Sequence, residues 1–149
     1  MPNTSFQIQT HIHATPEIIF PYIADLTKHS EWSANPIHIE ALTEPVPAVG
    51  NRYRSSAEVN GLRFHAELEV TEYQAPTVFA FSGIDETGRF EHRFTLRLSG
   101  AGTLVTRQVL FNLTVKQWLR YLLLLYPVRL PAARKALGLL KKHIEGQHP

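Results

Sequence analysis

The 149-residue chain contains no cysteine. That absence removes disulfides, thiolate zinc sites and a cysteine nucleophile, and it fits a reducing compartment such as the cytoplasm. The first residues, MPNTSFQIQTHIH, lack a basic start followed by an apolar stretch, so no secretory signal is expected. Without secretion the glycosylation sequons at Asn3 and Asn112 carry no meaning. No apolar run approaches the ~20 residues a membrane span needs; the longest band, Trp118 to Leu125, is interrupted by Arg120. Short catalytic signatures are missing too, with no G-x-S-x-G elbow, no H-E-x-x-H and no P-loop. Gly100-Ala101-Gly102 reads as a hairpin turn with no helix behind it to cradle phosphate. The eight histidines are scattered, and His11 and His13, two apart on a strand, find no third ligand at matching spacing. No metal and no cofactor are therefore expected.

What is present is ordinary globular composition over a length suited to one domain, residues 1–149. The net charge of +2 is unevenly spread. Residues 116–149 hold seven Lys/Arg against Glu145 alone, net +6, while residues 1–115 hold eight against twelve acids, net −4. A basic C-terminal segment allows peripheral contact with an anionic membrane, although a solvated helix face explains the same charges more simply. Nucleic acid is not an expected partner, because the basic tail has no interleaved aromatics.

Along the chain, Ser5 to His13 alternates as a half-buried strand. Thr15-Pro16-Glu17 then opens a helix with Ile19, Phe20 and Ile23 on its apolar face, and Thr27 reads as the cap of a second short turn reaching Trp32. Strands follow over 37–43 and Arg52 to Val59. Asn60-Gly61 is the strongest hairpin signal in the chain. Further strands are predicted over 62–73, 77–82, 89–98 and 103–113. The run from Val115 to Gly146 is helical, cut by Pro127 and Pro131, with Leu137, Leu140 and Ile144 at helical spacing. One strand, two short helices, a six-strand meander and a long terminal helix make an α+β domain with one sheet face covered by that helix.

The words Ala14-Thr15-Pro16-Glu17-Ile18-Ile19-Phe20, Ala24-Asp25 with Trp32, Val49-Gly50-Asn51-Arg52-Tyr53, and Glu69 to Pro76 followed by Phe79-Ala80-Phe81 occur here in that order. With Gly102-Thr103 and the closing helix Leu137 to Glu145, the pattern resembles the START-like superfamily (also called SRPBCC or Bet v 1-like), most closely its polyketide cyclase/dehydrase-like branch. The resemblance covers nearly the whole chain. It implies a helix-grip fold, in which a seven-stranded antiparallel sheet grips the C-terminal helix over an apolar cavity. It further implies a small hydrophobic ligand, such as a lipid or a polyketide, that is bound, carried, or cyclised and dehydrated. No catalytic motif is shared across the superfamily, so none is carried over. The proline-interrupted 127–131 stretch departs from a continuous helix, leaving it kinked or broken there.

Strand phase selects the side chains expected to face the cavity. From the third and fourth strands these are Tyr53, Ser55, Ala57, Phe64 and Ala66; from the last two, Phe90, His92, Phe94, Arg107, Val109 and Phe111. Trp118, Tyr121, Leu122 and Leu125 share a helical stripe and are expected to form the roof. His92, between Phe90 and Phe94 in phase, suits a general acid/base or a donor to a ligand carbonyl; the simpler alternative is a core histidine satisfied by a neighbour. Arg107 suits a ligand carboxylate or enolate, the alternative being an outward residue displaced by a bulge.

Overall fold

The structure, a computed structural model, describes residues 3–44, 46–120, 122–123 and 126–147. Strand β1 (Asn3–Ile12) leads into helix α1 (Pro16–Ala24) and a 3-10 turn (Leu26–Glu31). Six strands follow: β2 (Ile37–Ala41), β3 (Arg52–Val59), β4 (Leu62–Gln74), β5 (Val78–Asp85), β6 (Gly88–Ser99) and β7 (Gly102–Asn112). They form one antiparallel sheet in the order β1-β7-β6-β5-β4-β3-β2, so the first strand closes against the last. After β7 come helices α2 (Val115–Arg120) and α3 (Tyr126–Gln147).

Local chemistry accounts for most boundaries. Pro16 sits in the first turn of α1, where its missing N–H would be unbonded anyway, and the Thr15 carbonyl accepts from Ile18 and Ile19. Thr15 occupies the cap position without a side-chain bond. The cap of the 3-10 turn is Asp25 rather than Thr27: Asp25 Oδ1 accepts from the Thr27 amide at 3.1 Å and its hydroxyl at 2.6 Å. Asn60 and Gly61 take φ of 51° and 78°, the paired positive values that a two-residue hairpin between twisted strands requires.

The sheet buries one face. Ile12, Phe79, Phe94 and Val105 are fully covered, together with Ile19, Ile23 and Leu26 from the α1 region. Helix α3 contributes Ala133, Ala136, Leu137, Leu140 and Ile144, one stripe at helical spacing. Its far end is fastened to β1, since Lys141 donates to the His11 carbonyl and Glu145 accepts from the His13 amide at 2.9 Å. The other sheet face is wet and carries exposed pairs such as Arg52–Glu67 at 3.2 Å, which contribute little to stability.

α3 begins at Tyr126, so Pro127 lies in its first turn, and Pro131 lies inside the helix. The expected amphipathic segment from Ala132 therefore belongs to a longer helix. The short α2 before it buries none of its residues.

Candidate functional site

Between the buried sheet face and α3 lies a chamber of about 230 Å³. It exists because small side chains meet there. Ser55, Ala57 and Ala66 stand on the sheet opposite Ala132, Ala133 and Ala136 on the helix. Backbones held apart by larger neighbours such as Trp32 and Leu137 leave facing alanines short of contact, and the gap stays open. Gly83 widens it further. A Cβ there would lie 2.3 Å from the Phe90 ring, so only glycine lets that ring lie flat across β5.

A second chamber of about 420 Å³ adjoins the first and shares Val59, Phe64 and Phe111 with it. Its remaining walls come from the Asn60 hairpin, the turn at Glu86 and Thr87, and Gln117, Arg120 and Val128 of the two terminal helices. The two chambers thus meet along Val59, Phe64 and Phe111.

The inner walls are mostly apolar; the polar groups are His92 and Arg107 on adjacent strands, Arg129 at the start of α3, Ser55 and Asp85 on β3 and β5, and His29, Ser33 and Asn35 in and after the 3-10 turn. Phe94 pairs with Arg107 and His92 with Val109 across β6 and β7, which makes His92 and Arg107 diagonal neighbours on one face. Arg107 Nη2 donates to His92 Nδ1 at 2.9 Å. Because guanidinium cannot accept, Nδ1 must be the bare nitrogen and Nε2 carries the proton. The imidazole stacks on Phe81 with ring centres 4.9 Å apart. Burial first, then the Arg107 cation, hold its pKa well below the usual histidine value, so it is neutral at pH 7.

Arg107 lies with its guanidinium 5.4 Å from the Phe94 ring centre. Burial lowers its pKa to about 10, which leaves it a cation at neutral pH. Among the described residues no carboxylate pairs with it, and its buried Nε–H has no acceptor. Beside it, His29 donates Nε2–H to the Ile23 carbonyl at 2.8 Å and is held neutral by burial, its pKa lowered to about 4. At the outer end Arg129 lies 3.7 Å from Asp85, bonds Thr87 Oγ1 at 3.2 Å and sits over Phe111.

Most of the expected sheet residues line this space: Ser55, Ala57, Phe64, Ala66, Phe90, His92, Arg107, Val109 and Phe111. Tyr53 and Phe94 share their phase but are packed in the core, 2% and 0% exposed. The roof differs from the expectation. Trp118 packs beside Val109, Phe111 and Leu113 rather than lining the inner chamber, and Leu122 is exposed. Tyr121 and Leu125 lie outside the described residues. Arg129 and the α3 alanines roof the chamber instead, and His29 and Trp32 close one end. Proline at the start of a helix was a usable signal for that roof; the isolated His29 had none.

A family model described as polyketide cyclase / dehydrase and lipid transport matches residues 3–145. No curated protein matches the chain significantly. Among solved structures, protein TTHA0849 from Thermus thermophilus is 18% identical with TM-score 0.77, the alignment covering 98% of this chain and 100% of that one. Protein CV1439 from Chromobacterium violaceum is 12% identical with TM-score 0.74, covering 95% and 98%. Major latex-like protein 151 from Panax ginseng is 13% identical with TM-score 0.69, covering 95% and 97%. At such identities the likeness is one of fold.

Proposed function

Because the chain belongs to the polyketide cyclase/dehydrase and lipid transport family, we propose that it binds a small hydrophobic molecule between its sheet and α3. The observation that carries this reading is the pair of adjoining, largely apolar chambers, with the Arg107–His92 contact in the wall of the inner one. Sites of this kind use apolar walls for affinity and a few polar groups for orientation. A thermal-shift and native mass-spectrometry screen with lipids, fatty acids and aromatic polyketide mimics tests it. Hydrophobic compounds are expected to raise the melting temperature of the wild type. Ala136→Leu, which fills the chamber, is expected to fold and lose the shift. A panel in which nothing binds overturns the reading.

The contact between His92 and Arg107 favours a second reading, a cyclase or dehydrase acting on a polyketide-like substrate. In this geometry neutral His92 offers Nε2–H and Arg107 its guanidinium, so the pair would polarise a ketone oxygen whose carbon an enol of the same substrate attacks, the enol proton passing to that oxygen as it becomes the new hydroxyl. Turnover of a poly-β-ketone thioester by the wild type, lost in His92→Phe, supports catalysis; binding without turnover leaves the protein a carrier.

A further inference from the structure

Beside Ser33, Asn35 and Asp85, the inner chamber is lined by a cluster on β6 and β7 whose polar groups have one property in common. Arg107 is a pure donor, and His92, with Nδ1 engaged, has only its Nε2–H left to give. Nε2 finds no partner among the described residues although the ring lines the chamber. The Ser55 hydroxyl can turn to donate as well. An acceptor with several lone pairs is what this arrangement lacks.

Charge points the same way. Among the described residues three charged side chains line the inner chamber, Arg107, Arg129 and Asp85. Asp85 is the only carboxylate of these, and it faces Arg129 at 3.7 Å. His29 and His92 are neutral at pH 7. This lining therefore carries a net charge of +1, located on Arg107, whose buried Nε–H has no acceptor among the described residues. A desolvated cation without a counter-charge is costly to keep, and a single anion entering with an apolar body would supply that charge. Phosphate monoesters carry more negative charge than one guanidinium neutralises, whereas a carboxylate matches it in charge and in planar geometry.

We propose that the inner chamber is a carboxylate site, taking an amphiphilic monocarboxylic acid whose head group lies on Arg107 and His92 and whose apolar body extends past Phe64 and Phe111 into the outer chamber. This rests on the hydrophobic-ligand reading and narrows it to one class. The body can be a flexible acyl chain or an aromatic system, and both present the same head group.

Isothermal titration of the intact protein with two acid–ester pairs tests the assignment: decanoate with methyl decanoate, and 2-naphthoate with methyl 2-naphthoate. The esters keep the body and remove the charge. At least one acid is expected to bind about tenfold or more tightly than its ester, the difference a charge-assisted hydrogen bond makes. Whichever pair shows the larger gap identifies the body. In Arg107→Met the acid should fall to the affinity of its ester while the ester is retained. If Arg107→Met does not fold, the wild-type comparison decides alone. Acids and esters binding equally overturns the carboxylate assignment and leaves the hydrophobic-ligand reading standing. Failure of all four to bind at millimolar concentration overturns both.

Discussion

Arg107 donates to His92 across a diagonal of β6 and β7, and the half-buried histidine that receives this bond lies against Phe81 and Phe90. A charged donor bonded to a neutral ring in an apolar wall is a poor way to stabilise a sheet. The guanidinium keeps its desolvation penalty without a counter-charge to offset it, and its Nε–H bonds nothing among the described residues.

Replacing both members should therefore help the fold. The double variant Arg107→Met with His92→Phe is expected to be more stable than the wild type, by roughly 1–4 kcal/mol as when buried polar clusters are exchanged for apolar residues of similar volume. Arg107→Met alone strands His92 Nδ1 without a donor, so its gain is smaller. Urea denaturation of the three proteins measures this. A double variant several kcal/mol less stable than the wild type would make the pair a structural requirement.

The same substitution should move the histidine. His92 is held low first by burial and second by the Arg107 charge. In Arg107→Met its pKa is expected to rise, while staying below the ordinary value because burial persists. NMR titration of the imidazole nitrogens reads the shift. An unchanged titration would mean the two groups do not interact in solution.

His29 makes stability depend on pH. Its folded pKa is about 4 against 6.5 for the free side chain. Between those values the unfolded chain binds a proton that the folded chain refuses, so stability rises with pH across this window. Acidification from pH 7 to 4 should remove about 3 kcal/mol from this group, at 1.36 kcal/mol per pKa unit, and His92, lowered in the same direction, adds to the loss. His29→Gln, which can still donate to the Ile23 carbonyl, is expected to be less acid-sensitive. Parallel melting curves for the two proteins between pH 7 and 4 would remove His29 as a cause.

Strand phase was legible because it is local. Alternation along β3, β4, β6 and β7 placed Ser55, Phe64, Phe90 and Arg107 on one face, and the Asn60-Gly61 turn set the register that keeps them there. Depth along a strand was not legible. Phe94 and His92 share a phase, yet Phe94 is covered by His29 and Trp32, which arrive from a turn over sixty residues earlier. The roof was misplaced for a related reason. Large apolar residues such as Trp118 attract attention as lining, but a chamber opens where residues are small, and Ala132, Ala133 and Ala136 look ordinary in a helical run. The Arg129–Asp85 contact joins positions brought together only by the closed fold.

Gly83 offers a geometric test of the chamber. A methyl group there would meet the Phe90 ring at 2.3 Å and Leu68 at 2.7 Å. The ring can escape only into the space it borders, since it already lines the inner chamber. Gly83→Ala is expected to cost about 1–3 kcal/mol, as overpacked cores do, and to weaken the binding of any ligand that reaches Arg107. Retained affinity in Gly83→Ala would place the ligand elsewhere.

The outer surface around α2 carries the last expectation. Val115, Leu119 and Leu123 are 66%, 50% and 75% exposed, and at helical spacing the first two share a face. Lys116 and Arg120 lie one residue along, also four apart, and Arg120 lines the outer chamber. Apolar side chains rimmed by cations suit the surface of an anionic bilayer, where each cation contributes about 1 kcal/mol. The neighbouring chamber mouth would then open toward the membrane that supplies or receives the ligand. The basic C-terminal segment allowed such contact without requiring it, and the expectation here is restricted to the residues of α2. Vesicles of phosphatidylserine and phosphatidylcholine should co-sediment the protein in a salt-sensitive manner, and Lys116→Gln with Arg120→Gln should weaken that binding roughly thirtyfold. Binding that ignores salt, or a double variant indistinguishable from the wild type, would leave α2 without this role and confine the protein's ligand exchange to solution.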